Sequence, residues 1–346
     1  MNTPQRQIED HRHEVPLRAG PLSEEQTRAV LTAGAAAPSA HNAQPWRFGV
    51  RETGIDVYAD SARALPATDP DSRELRMSCG AAAFNLRLAV LAQGYAAAVA
   101  LLPAPSEPQL LARVDIGVES PTPVWADRLS AALPRRRTNR RPFLDVAVPA
   151  RHRAALVAAG EAEGAWLHAV ADRHQLVEIA DLVREAERRQ RQDPAVQEEL
   201  HRWTGRTDDR PDGVPLSAGG PRPRPHDLLA MRDLTDGHAA DRAPGRDFEE
   251  SPLLLVLSTP ADREIDHVRA GLALQRLLLV ATDLGLAMSF LAQPIEVTDV
   301  RRSLGTLVGG WGSPQMVLRA GFGGAVPATP RRAVDELTFP GDAARS

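Results

Sequence analysis

Two apolar stretches of this chain match without gaps at an offset of 191 residues. Gly80, Ala82, Leu86, Leu88 and Gly94 align with Gly271, Ala273, Leu277, Leu279 and Gly285. Both stretches are almost wholly small or apolar, so each reads as a helix buried on most faces, closed by glycine and entering a strand. An earlier pair repeats in the same order. Ala33-Gly34 closes a helix ahead of Trp46, and Ala159-Gly160 closes one ahead of Trp166. The glycine-to-tryptophan interval is 12 residues in the first copy (34 to 46) and 6 in the second (160 to 166). Ala/Leu helices also align by chance, but the ordered agreement of helix, strand and helix favours duplication. The 346 residues suffice for two ordinary domains. The expected class is α+β, with two tandem units whose antiparallel-type sheets are flanked by helices. The units are residues 1–133 and 134–346, the second with an irregular, lid-like insertion at about 192–245.

The longer interval of the first copy holds Ala37-Pro38-Ser39-Ala40-His41-Asn42-Ala43-Gln44-Pro45-Trp46. Its two prolines bracket small and polar residues, which predicts a rigid loop, neither helix nor strand. A stiff loop with a hydroxyl, an imidazole and two carboxamides suits recognition of a flat polar heterocycle. It would serve equally as a simple helix-to-strand connection. The second copy has lost most of this loop.

The bulk composition excludes several function classes. A net charge of −4 gives no electrostatic reason to expect nucleic acid. All 41 basic residues are Arg, which removes Schiff-base lysine chemistry and the P-loop lysine. Any anion site is therefore built from planar, permanently charged guanidinium groups. The single Cys79 excludes an internal disulfide and a multi-cysteine zinc site. It sits before a small-residue helix, where inert packing outweighs thiol activation. No H-E-x-x-H or G-x-S-x-G motif occurs, and no metal is expected. Met1 to Gly20 carries no apolar leader, and no apolar run approaches a membrane span. The expected setting is cytoplasmic, with no membrane partner.

Ser23 and Gln26 form a capping box that starts a helix running to Gly34. Arg47–Val50 and Ile55–Tyr58 flank Thr53-Gly54 as a hairpin. Asp69–Arg76 opens the buried helix, and Ala96–Leu102 and Leu110–Val118 are strands. Beyond Leu133, Pro134 to Phe143 concentrates arginine. Val148–Gly160 is a helix, Ala165–Val170 a strand, and Arg173–Arg191 an amphipathic helix. Gln192–Gly245 is rich in Pro, Gly, Asp and Arg, the composition of a lid or a disordered loop. Pro252–Ser258, Leu286–Leu291 and Gln315–Ala320 are strands, and Val268–Leu284 is a helix.

The A-P-S-A-H-N-A-Q-P-W-R-F stretch resembles the flavin-contacting loop of the nitroreductase superfamily, and the paired repeats resemble its two-repeat, Acg-type branch. The resemblance covers most of the chain from Leu22 onward. It implies a nitroreductase-like fold in which the two repeats form an intramolecular pseudo-dimer around FMN. The ring-covering loop survives in the first copy only, as Pro38, Ser39, Ala40, His41 and Asn42. The basic R-x-[ST]-x-R-type segment stands in the second copy only, as Arg136, Arg137, Thr138 and Arg140. One complete flavin site per chain follows. By this resemblance Arg136 and Thr138 contact phosphate or ribityl, with Arg331 and Arg332 closing from the C-terminal tail. Arg140 lies on the N1/O2 edge of the ring. Ser39 and Asn42 hydrogen-bond ring or ribityl, and His41 contributes its backbone. Phe290, Leu291, Ala292 and Gln293 match the segment that approaches flavin N5. Arg135 and Arg141 read as ordinary surface charges, and Trp203 as a core plug or an anchor for the irregular segment.

The implied activity is hydride transfer from NAD(P)H through FMN to a nitroaromatic, quinone or related acceptor, with the chemistry on the flavin and no catalytic side chain required. The alternative is a weakly catalytic or non-catalytic protein that stores or sequesters FMN beneath the lid. A monomer, or a weak homo-oligomer, is expected because duplication replaces dimerisation.

Overall fold

The computed structural model describes residues 17–340 apart from 171, 243, 244 and 246. The expectation about the leader falls largely on residues 1–16, outside the described residues.

Helix α1 (Glu24–Ala35) begins at the expected capping box, Ser23 and Gln26 each bonding the other's backbone. Strands β1 (Trp46–Arg51) and β2 (Gly54–Ala59) form the expected hairpin, with Arg51 opposite Gly54. Helix α2 (Arg73–Ala92), β3 (Tyr95–Leu101) and β4 (Leu110–Glu119) follow. Then come α3 (Val124–Ala132), α4 (Ala150–Glu161), β5 (Trp166–Ala169), α5 (Arg173–Gln192) and α6 (Pro194–Trp203). The chain continues through β6 (Leu253–Thr259), α7 (Glu264–Asp283), β7 (Ala287–Leu291), a one-turn α8 (Gln293–Glu296) and α9 (Thr298–Leu307). It closes with β8 (Ser313–Gly321), a short α10 (Val334–Leu337) and β9 (Thr338–Pro340).

Two sheets form, in the orders β3-β4-β2-β1-β9 and β5-β6-β8-β7. Apart from β9, both run first, second, fourth, third in chain order, and every such pairing is antiparallel. The second sheet is covered on both faces, by α4 and α7 on one side and by α5 and α9 on the other. Every residue of β6 is therefore buried, and its Leu253–Leu257 run is uninterrupted by polar residues.

The two repeated helices, α2 and α7, cross at their matched glycines. A Cβ on Gly80 would lie 2.1 Å from the Val268 carbonyl oxygen, and one on Gly271 would lie 2.0 Å from that of Met77. Positions 77 and 268 also differ by 191, so the contact is reciprocal. Only residues without a side chain allow the two backbones this approach.

Several sequence expectations need correction. Gln192–Gly245 is not wholly irregular: Asp193 caps α6 through the Ala195 and Val196 amides, with Pro194 at the first helical position. Val196 and Leu200 then pack on Val214 and Leu234, a small core within the segment. The Pro38–Pro45 loop contains one 3₁₀ turn, Ala40–Asn42. Helices α3 and α9 and strand β9 arise where no element was expected. Helix α2 is long and apolar enough to cross a membrane by length and composition, contrary to the expectation, but it is packed in the core against α1 and α7. Strand β9 lies parallel to β1, with Phe48 opposite Thr338, and so returns the C-terminal tail to the first half of the molecule.

Candidate functional site

The Pro38–Pro45 loop is held in an unusual conformation. His41, Asn42 and Gln44 have φ of 47°, 57° and 53°. Left-handed backbone costs roughly 1–2 kcal/mol per non-glycine residue, so tertiary contacts must hold it. The Ser39 Oγ accepts from the Gln44 amide at 2.9 Å and closes the loop on itself. The Asn42 amide donates to the carbonyls of Gly213 and Pro330, while its Oδ1 accepts from Arg331. The Gln44 side chain donates to the Pro211 carbonyl at 2.7 Å and accepts from the Arg332 amide at 2.8 Å. The loop thus ties together the 204–252 segment and the C-terminal tail. The Asn42 carboxamide, expected at ring or ribityl, makes these three bonds to the protein.

Two cavities open on this loop and share Pro38, Ser39 and Arg140 on their walls. The first, about 730 Å³ of empty space counting its open mouth, is lined by Ala40, His41, Met77, Phe290, Ala292 and Met316. Glu74, Arg232, Gln293 and Glu296 also reach its wall. The second, of about 750 Å³, is lined by Asn42, Arg136, Arg137, Thr138, Thr329 and Arg331.

The second chamber is a cradle of arginine side chains. Arg136 is buried and its Nη1 has no partner; the Arg331 Nε is likewise buried and unpartnered. No carboxylate lines the chamber among the described residues. Burial, then the neighbouring Arg331 and Arg137, lower Arg136 to about 9. Burial, with Arg137 adding, lowers Arg331 to about 10. Three guanidinium groups gather here without an acid. The Arg331 Nη1 and Nη2 donate to the Asn42 Oδ1, to Thr329 and to the Pro330, Ala36 and Ala37 carbonyls, which leaves the Arg136 Nη1 as the unpartnered terminal donor of Arg136. Asn139 fixes the basic segment: its amide donates to the Met288 carbonyl and its side chain to that of Gly324. Thr138 bridges to Met288 at the edge of β7.

The first chamber mixes an apolar floor with buried charge. Arg140 donates to the Ala218 carbonyl at 2.9 Å, and burial lowers it to about 10. His41 is neutral, lowered to about 4 by burial, then by Arg232, with Arg140 adding. The Glu296 carboxylate meets Arg232 at 2.5 Å and takes a hydrogen bond from Gln190.

Most of the expected residues meet here. Pro38, Ser39, Ala40, His41, Asn42, Arg136, Arg137, Thr138, Arg140, Phe290, Ala292, Gln293 and Arg331 line one chamber or both. Two do not. Leu291 points into the core between the second sheet and α5. Arg332 pairs with Asp60 at 3.7 Å and Glu336 at 3.6 Å, away from the cradle. Gln293 begins α8 rather than ending a strand, and its amide donates to Glu187 and the Ala230 carbonyl. Trp203 lines neither chamber. Cys79 donates to the Pro45 carbonyl, and burial pushes its thiol well up, which makes it inert packing. Glu74, Glu296 and Arg232 were not anticipated. The available signal was Glu74, a lone acid one turn before the small-residue face of α2. Among the described residues, no group of three or more His, Cys, Asp or Glu could hold a metal ion.

Known proteins resemble this chain along most of its length. The Nitroreductase family model matches residues 133–321, just over half of the chain. Mycobacterium tuberculosis (strain H37Rv) holds three full-length relatives. Rv3131 and acg, each carrying the name "Putative NAD(P)H nitroreductase", are 35% and 32% identical over 90% and 87% of this chain, and over 91% of their own lengths. Rv3127, an uncharacterised protein, is 34% identical over 89% of this chain and 91% of its own. Among solved structures, a nitroreductase with bound FMN from Bacteroides fragilis is 15% identical, with a TM-score of 0.38 over 59% of this chain and 95% of that one. With the family model spanning both the arginine segment and β5–β8, and relatives aligned almost end to end, this chain belongs to the nitroreductase family.

Proposed function

We propose that the chain binds FMN across the two chambers and moves hydride from NAD(P)H to a nitroaromatic, quinone or related acceptor. The observation that carries this reading is the cradle of Arg136, Arg137 and Arg331, with a buried Nη1 on Arg136 that has no partner. A phosphate dianion would supply that partner and offset the mutual repulsion of the cations. Arg136, Arg137, Thr138 and Arg331 would hold the phosphate, and Arg140, shared by both chambers, would sit at the passage to the ring. Pro38, Ser39 and His41 would face Phe290 and Ala292 across the adjoining chamber. When bound, FMN supplies two-electron chemistry at its ring. The chain's own task is to fix that ring, exclude bulk water and leave room for nicotinamide and acceptor.

Duplication fits the same reading. The matched glycine crossing and the shared strand order support two repeats, residues 1–133 and 134–346, acting as a pseudo-dimer within one chain. The loop comes from the first repeat and the arginine segment from the second, giving one site per chain.

A second reading, storage or sequestration of FMN, is favoured by one observation. The segment around Pro211–Ala218 is strapped over the loop by Asn42, Gln44, Arg140 and an Arg63–Asp212 ion pair of 2.8 Å. Two measurements test these readings. Purified protein should be yellow with one flavin per chain, and Arg136→Ala with Arg331→Ala should lose at least about 10²-fold in FMN affinity, at 1.5–3 kcal/mol per charged hydrogen bond. A fully loaded double mutant would overturn FMN binding at this cradle. Steady-state NAD(P)H oxidation by loaded protein separates enzyme from store, since a store turns over negligibly.

A further inference from the structure

We propose that Glu74 is the acid that protonates the acceptor, which narrows the substrate class to acceptors that take up a hydride and, at a carbonyl-type oxygen, a proton, such as quinones. The assignment holds only if FMN occupies the first chamber, as proposed above.

Glu74 stands in the first turn of α2, with a side chain only 6% exposed, on the wall shared with Phe290 and Ala292. Its contact with Arg73 is long, 3.4 Å, and the Nη1 of that guanidinium donates to the Gln315 carbonyl at 2.7 Å. The charged groups facing it come from four elements. Asp69 lies before α2, Arg73 within it, Glu296 on α8, and Arg232 on the 204–252 segment. Arg232 is shared between Glu296 at 2.5 Å and Glu187 at 3.9 Å, so little of its charge is left for Glu74. Glu187 has its own partner in Arg191 at 2.8 Å and Glu296 has Arg232, so among these acids Glu74 is left buried with only the long Arg73 contact, an arrangement that favours its protonated form. Burial first, then Glu296, with Asp69 adding, push Glu74 up to about 8.

The other groups of the chamber are poor donors to a reacting oxygen. Glu296 is held ionised by Arg232 against the cost of burial. His41, nine-tenths buried, stays neutral and has an Nε2 without a partner. Arg140 and Arg232 are too basic to release a proton at neutral pH. Glu74 is therefore the acidic O–H of this wall, since the Ser39 and Ser78 hydroxyls are far too weak as acids, and it is poised near the working pH, where a general acid is most effective.

The step balances. Bound FMN would supply, from NAD(P)H, the hydride whose electron pair forms one new O–H bond at a carbonyl oxygen of the quinone. The Glu74 O–H bond breaks as the second O–H bond forms at the other carbonyl oxygen, so the quinone becomes a hydroquinone. Glu74 is left as carboxylate and regains its proton from water after product leaves.

The test compares wild-type and Glu74→Gln holoprotein, each reduced with dithionite and mixed with 1,4-benzoquinone or with ferricyanide, which accepts electrons without a proton. The quinone-to-ferricyanide rate ratio should fall about 10²-fold in E74Q, the usual worth of a positioned acid. In the wild type that ratio should drop about tenfold per pH unit above pH 8, and it should be flat in E74Q. Infrared titration should show a protonated-carboxyl band that disappears with a midpoint near 8 and is missing from E74Q. An unchanged ratio, or no carboxyl band titrating above pH 7, overturns the assignment. If E74Q does not accumulate, the wild-type ratio profile and infrared titration decide, with Glu74→Asp keeping the band. Wild-type protein without FMN would overturn the flavin reading itself, and this assignment with it.

Discussion

Burial sets the protonation of the residues that matter most in this molecule. His41 and Glu74 share one chamber wall, yet both are driven to neutrality, from opposite directions. Their effects on stability are opposite too. His41 has a folded value of about 4 against an ordinary 6.5, so its contribution is complete above 6.5 and lost as pH falls toward 4. Glu74 has a folded value of about 8 against 4.5, so its contribution is complete below 4.5 and lost as pH rises through 8. Urea unfolding of apoprotein should show both. Between pH 6.5 and 4, His41→Gln should remove a slope of up to about 1.4 kcal/mol per pH unit from the acid limb. E74Q should flatten the limb between 4.5 and 8. Equal slopes in wild type and variants would show that neither group is buried as described.

At the scale of elements, the crossing of α2 and α7 decides whether the two halves can meet. Gly80 and Gly271 each face a backbone carbonyl at a distance no Cβ tolerates, and neither backbone has a side chain to move aside. Gly80→Ala or Gly271→Ala should therefore cost about 3 kcal/mol or more, despite the better helix propensity of alanine. Thermal or denaturant unfolding measures this; a neutral result at both positions would refute the close crossing. The N-cap of α6 is a milder case. Asp193→Ala should cost about 1 kcal/mol and loosen the segment that carries Arg232.

Across the whole molecule, the site is assembled from segments far apart in sequence. The loop, the arginine segment, the end of β7 and the tail at Arg331 meet because β9 returns to pair with β1. Shortening the chain after Thr329 should remove Arg331 and β9 together. FMN affinity should then fall at least about 10-fold, while far-UV circular dichroism stays near wild type, since the lost elements are short. Undiminished FMN binding by the shortened chain would exclude Arg331 from the cradle.

Sequence alone determined the local devices. Capping at Ser23, the hairpin at Thr53-Gly54 and the apolar helices are fixed by interactions within a few residues, so their residue types announce them. The loop between Pro38 and Pro45 was legible as a loop, but its left-handed conformation is held by contacts 167 to 289 residues away in sequence. The equivalence of Gly80 and Gly271 as repeat positions was also legible, but that the two glycines meet was decided by the tertiary structure. Arg332 looked equivalent to Arg331, and only the path of the tail sent one to the cradle and the other to Asp60 and Glu336. The chamber of Glu74, Glu296, Arg232 and His41 left no contiguous signal. Its chemistry comes from desolvation and from charges brought together out of four distant segments, and both exist only after the chain has folded.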